Sequence, residues 1–147
     1  DDRSAGYMMG QVIATAWAMK KPLFLVVTSD GGVDGPGLVD QPGVEDHTSD
    51  YGQASGIYMF AYHPEGRPPV ATASGQFDYQ VGHFRSEDGT HAVDTNFFTS
   101  NDEARAAAVA FVNYCQFAGH PELIEQVLPR VFTAAEIDEI TRIWAVG

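Results

Sequence analysis

TNFFTSNDEARAAAVAFVNYCQFAG, residues 95–119, holds the sharpest boundary in the chain. Ser100 followed three residues later by Glu103 reads as a capping box, and an alanine-rich apolar run of helical period follows until Gly119 stops it. Ala104, Ala107, Ala108, Phe111, Cys115 and Ala118 fall on one face, where small side chains let a helix lie close to a sheet. Before this boundary the chain reads as strands, and after it as helices. That segregation predicts an α+β domain.

Downstream, PELIEQVL (121–128) reads as a short helix or an extended connection. Thr133 and Glu136 form a second capping box, with Phe132 and Ile137 placed as its hydrophobic staple, and Trp144 lies near the end of that last helix. Upstream, HAVDTNFF (91–98) pairs with QFDYQVGHF (76–84) across SEDGT, whose Asp-Gly suits a tight hairpin turn. IYMFAYH (57–63) is a third strand, VATAS (70–74) a weak one, and LFLVV (23–27) a continuous run that suits a strand buried on both faces. Residues 4–20 have the period of a helix, capped by Ser4, with Lys20 and Lys21 at its end and Pro22 stopping it. The expectation is an antiparallel sheet of about 4–5 strands, with an N-terminal helix and two or three C-terminal helices packed on it. All of it falls in a single domain, 1–147, with a long acidic loop at 28–56.

That loop is the chain's oddity. Asp30, Asp34, Asp40, Glu45, Asp46 and Asp50 stand among glycines and prolines, and no Lys or Arg occurs between Lys21 and Arg67. The whole chain of 147 residues carries a formal charge of −12, which disfavours nucleic acid and anionic membranes and favours a basic partner. An apolar fraction of 44%, with nine phenylalanines, is ample for a core. No apolar run approaches the length of a membrane span, and the N-terminus has no signal-peptide pattern, so the expected compartment is the cytoplasm.

Catalytic and metal chemistry find less support. His47, His63, His83 and His91 lie on or beside the strands, and His63, His83 and His91 make the alternative metal set. None has the H-E-x-x-H spacing that forces ligands to converge. DGGVD (30–34) lacks the EF-hand pattern. Asp78, Asp94 and His83 supply the raw material of an acid–base pair near the hairpin. Cys115, the single cysteine, excludes an intrachain disulfide and sits among Phe111, Tyr114 and Phe117, a packed rather than a reactive setting. The glycine-rich loop has no P-loop lysine. No cofactor is expected.

The stretch AVDTNFFTSNDEARAAAVAFVNYCQFAGHPELIEQV (92–127) resembles a bacterial immunity-protein family that neutralises deaminase and nuclease toxins of contact-dependent and type VI competition systems. Asp102/Glu103, Phe111, Gly119 and His120-Pro121 carry the likeness, and LFLVVTSDGG resembles the family's early strand and turn. The chain departs from that pattern by continuing into a further capped helix. DGTHAVDTNFFTSNDEARA is also similar to the sheet-to-helix step of the secretion-enhancer-like family, and small acidic type III secretion chaperones share the size and acidity. All three are protein-binding classes. The resemblance implies a cytoplasmic immunity protein that occludes a basic partner such as a secreted toxin, with a secretion chaperone as a further alternative. Asp30, Asp34, Asp40, Glu45, Asp46, Asp50 and Tyr51 are the expected partner-binding residues.

Overall fold

Two helical stop signals frame the N-terminal part of the computed structural model, which describes residues 2–28, 32–33, 49–51, 57–70, 81, 84–85, 92–93, 96–99 and 102–147. The first helix, α1 (Asp2–Met19), starts two residues before the expected Ser4. It ends because Lys20 turns left-handed, with φ 52. The Lys20 and Lys21 N–H groups then donate back to Trp17 and Ala16 carbonyls at 3.1 and 3.0 Å, the paired bonds of a Schellman cap. Pro22 forbids any continuation.

β1 (Leu23–Thr28) follows and pairs antiparallel with β4 (Ile57–Tyr62), from Leu23 opposite Tyr62 to Thr28 opposite Ile57. Nested between them, β2 (Gly32–Val33) pairs with β3 (Ser49–Tyr51). Further on, β5 (Phe84–Arg85) pairs with β6 (Ala92–Val93), Phe84 opposite Val93 and Arg85 opposite Ala92. These are separate two-stranded pairs. The expected sheet of 4–5 strands is therefore overturned: among the described residues no sheet exceeds two strands. Only LFLVVT and IYMFAY are long, uninterrupted runs of β-favouring residues; β2, β3, β5 and β6 are two or three residues long, too short to bury a shared face. Of the weak strand VATAS, Val70 makes an isolated bridge to Ile143, and 71–74 lie outside the described residues, as does the Asp-Gly turn at 88–89.

Helices supply the core instead. α2 (Glu103–Phe117), α3 (Glu122–Val127) and α4 (Ala134–Ile140) gather Ala108, Val109, Val112, Cys115, Ile124, Phe132 and Ile140, against which Met59 of β4 packs. Val112 and Ile140 are fully buried, each worth roughly 1.5–3 kcal/mol of transfer free energy. The buried arc of α2 is rotated from the expected face: Ala104, Ala107 and Ala118 are exposed, while Val109, Val112 and Asn113 are buried. One helix is covered from two directions, by the β1–β4 ribbon and by α3 and α4, so its buried arc spans more than one stripe.

Capping chemistry separates two similar motifs. Thr133 and Glu136 form the full box, with Thr133 N–H donating to Glu136 Oε2 at 2.6 Å and Glu136 N–H to Thr133 Oγ1 at 3.2 Å. The staple residues Phe132 and Ile137 share the core. At α2 the N-cap is Asp102, whose Oδ1 accepts from the Arg105 N–H at 2.9 Å, rather than Ser100, which lies outside the described residues. Arg105 continues across to Glu136 (3.3 Å) and stacks over the Phe132 ring, tying α2 to α4. The chain after Ile140 is extended, so Trp144 is not helical as expected; its N–H donates to Pro69 O at 3.0 Å.

Asn113 explains that exit. Fully buried in α2, it donates from Nδ2 to the carbonyls of Val109 (2.9 Å) and Ile140 (3.0 Å). Its Oδ1 accepts from the N–H groups of Arg142 (2.7 Å) and Ile143 (3.1 Å). Those two N–H groups are thereby taken away from a continuing helix.

Candidate partner-binding surface

The β1–β4 ribbon gives its two faces different neighbours. Side chains alternate along a strand, so Phe24 of β1 and Met59 of β4 share one face, and Leu25, Val27, Tyr58 and Phe60 share the other. The first face reaches the helices: Phe24 meets Tyr114 edge-on at 5.7 Å and lies 5.7 Å from Phe117, both in α2. The second face presents Tyr58, 65% exposed, and Phe60, 41% exposed, beside half-buried Leu25 and Val27. LFLVV is consequently not buried on both faces, since α2 covers only one. Val26 is exposed as well, toward the Thr28 end of the ribbon.

From that end the acidic segment departs and returns. Thr28 and Ile57 close the ribbon, and residues 29–56 connect them. Within this connection Gly32 pairs with Tyr51 and Val33 with Ser49. The register shift leaves Asp50 as the extra residue of a bulge. The pairing of β2 with β3 is thus nested in sequence within that of β1 with β4. Of the expected partner-binding residues, Asp50 and Tyr51 lie on β3, and Asp34, Asp40, Glu45 and Asp46 stand in the chain between β2 and β3. These four, together with Asp30, are outside the described residues. The strand pairing ties both ends of the acidic stretch to the aromatic ribbon.

Nothing local in the sequence marks Tyr58 and Phe60 as surface residues. Alternation within IYMFAY shows that one face carries Tyr58, Phe60 and Tyr62, but only the position of α2 decides which face is left in solvent.

The histidines are placed differently. His63 is half-buried at the end of β4, in a turn closed by its bridge to Gly66. Its Nδ1 accepts the Glu65 N–H at 3.2 Å, and its ring meets Phe117 edge-on at 6.3 Å. These contacts occupy it in shaping the turn. His47, His83 and His91, like Asp78 and Asp94, lie outside the described residues. Among the described residues, no three His, Cys, Asp or Glu side chains come together as a metal site. Cys115 is fully buried, and burial, helped by the charge of Glu122, pushes its thiol above the ordinary range. Such a thiol is a packing group rather than a nucleophile.

No helix among the described residues is long and apolar enough to cross a membrane. No family model, curated protein or solved structure matches the chain.

Proposed function

We propose that this chain binds a basic protein, using the acidic segment 28–56 for attraction and the exposed ribbon face for the dry contact. The observation that carries this reading is the exposure of Tyr58 and Phe60 on the strand pair whose open end launches the acidic segment. Opposite charge speeds encounter and selects partners, whereas desolvated aromatic side chains hold the complex. An acidic stretch alone would be a solubility feature. Its attachment beside an aromatic face in open solvent gives both elements of an interface in one place.

The finer form of the proposal is an immunity-type inhibitor that occludes a toxin, which rests on the resemblance of residues 92–127 and awaits its own test. A partner captured from the native cell extract and released by salt is to be purified and its affinity measured for three forms of the chain. Neutralising four carboxylates (Asp34→Asn, Asp40→Asn, Glu45→Gln, Asp46→Asn) moves the charge from −12 to −8. That variant is expected to bind more weakly and with a flatter salt dependence. Tyr58→Ala with Phe60→Ala is expected to speed dissociation. If both variants bind as the parent does, the surface is wrong. If binding follows the prediction but the partner shows no toxicity that the chain relieves, the immunity form alone falls.

A further inference from the structure

A two-stranded ribbon satisfies the backbone of each strand on one side only. In an antiparallel pair every second residue points both its N–H and its C=O away from the neighbouring strand. β1, six residues long, therefore presents a row of such groups over about 20 Å. Among the described residues β4 is the only strand beside it. β4 is less open, because the chain leaving it turns back and His63 bridges Gly66.

Natural sheets usually protect an edge of this kind with a lysine, a proline or a bulge. LFLVVT has none of these, and its register against β4 runs unbroken from Leu23 to Thr28. Both flanks of the edge are apolar. On the side away from α2, half-buried Leu25 and Val27 stand opposite Phe60 and Tyr58. On the α2 side Val26 remains 39% exposed.

We infer that the β1 edge is the docking line for an extended basic segment of the partner protein, which adds to the ribbon as a third strand. This rests on the basic-partner reading and names how that partner is held. Open N–H and C=O groups in a row select an extended backbone, because a strand meets them in register. Charge decides between a partner and a second copy. Residues 29–56 follow β1 directly and carry six carboxylates with no Lys or Arg. Two copies, each at −12, repel one another, whereas a strand with Lys or Arg near Thr28 is attracted. Alternate apolar side chains of that strand lie next to Leu25 and Val27 and continue the face of Tyr58 and Phe60.

The test is titration of a fluorescent alternating lysine–valine octapeptide with the full chain at low salt. Two further forms of the peptide are N-methylated, one at its valines and one at its lysines. An N-methyl group removes a donor and blocks the edge toward which it points, and alternate residues of a strand point to opposite edges. One methylated form is therefore expected to bind like the parent peptide, and the other at least about tenfold more weakly. With the parent peptide bound, amide exchange should slow at alternate residues of β1 and stay unchanged in α4. Absence of binding, or slowed exchange in β4 without β1, overturns the β1 edge as the docking line. Protection of β1 that grows with chain concentration before any peptide is added gives the edge to a second copy. Failure of the underlying reading looks different. If the peptide adds to β1 but the variant Asp34→Asn, Asp40→Asn, Glu45→Gln, Asp46→Asn binds it as tightly as the parent chain, the role of charge falls. If both methylated forms bind equally and that variant loses them, attraction by charge stands and strand addition falls.

Discussion

Asn113 is the side chain on which the tertiary structure depends most. An amide in the middle of an apolar helical run reads as a fault in the pattern, yet all four of its hydrogen bonds are made, two of them to N–H groups of the outgoing chain. Asn113→Ala leaves the Arg142 and Ile143 N–H groups without these acceptors and opens a small void. The expected loss, read by urea or thermal unfolding, is about 3 kcal/mol. Asn113→Asp should be no better, because a carboxylate has no donor for the Val109 and Ile140 carbonyls. Gly119 is a second single-residue constraint. It sits at φ +74 with its N–H donating to Gln116 O and that of His120 to Cys115 O. An added Cβ would only touch Ala145 at 4.0 Å, so Gly119→Ala should cost about 1 kcal/mol, from the left-handed backbone alone. Gly119 as a stop is readable from sequence; the use made of Asn113 is not, since three of its four partners lie 27 to 30 positions away.

At the level of elements, the ends of the helices offer the sharpest tests. α1 stops on a lysine in a conformation that glycine adopts without penalty, so Lys20→Gly should raise its stability by up to about 1 kcal/mol, measurable as helicity by circular dichroism. The α4 capping box is sensitive to acid. The Thr133 backbone N–H first, then the Thr133 side chain and Arg105, hold the Glu136 carboxyl below its ordinary range. A depressed carboxyl contributes stability above its unfolded value and loses it as pH falls through its folded value. The melting temperature should therefore drop below about pH 4, and Glu136→Gln, which still caps, should flatten part of that acid limb. The Thr133–Glu136 box was legible because all its atoms lie within one turn of chain. The cap of α2 falls at Asp102, two residues after Ser100, because both are good caps and local sequence does not rank them.

On the scale of the molecule, residues 29–56, which join the two strands of the ribbon, carry half of the net charge of −12, and an interface built on them should weaken with salt. Affinity for the captured basic partner is expected to fall at least about tenfold between roughly 50 and 300 mM salt. The sequence by itself determined the α+β character, the strand runs LFLVV and IYMFAY, the stop at Lys20–Pro22 and the box at Thr133, because each is set by groups a few residues apart. It also marked the acidic stretch. Tertiary structure alone decided that these strands form a ribbon instead of a wide sheet, that α2 covers one face and leaves Tyr58 and Phe60 in solvent, and that the last residues run extended past Asn113. Each of those outcomes is a choice among partners distant in the chain, settled by which contacts bury the most apolar surface without stranding a polar group.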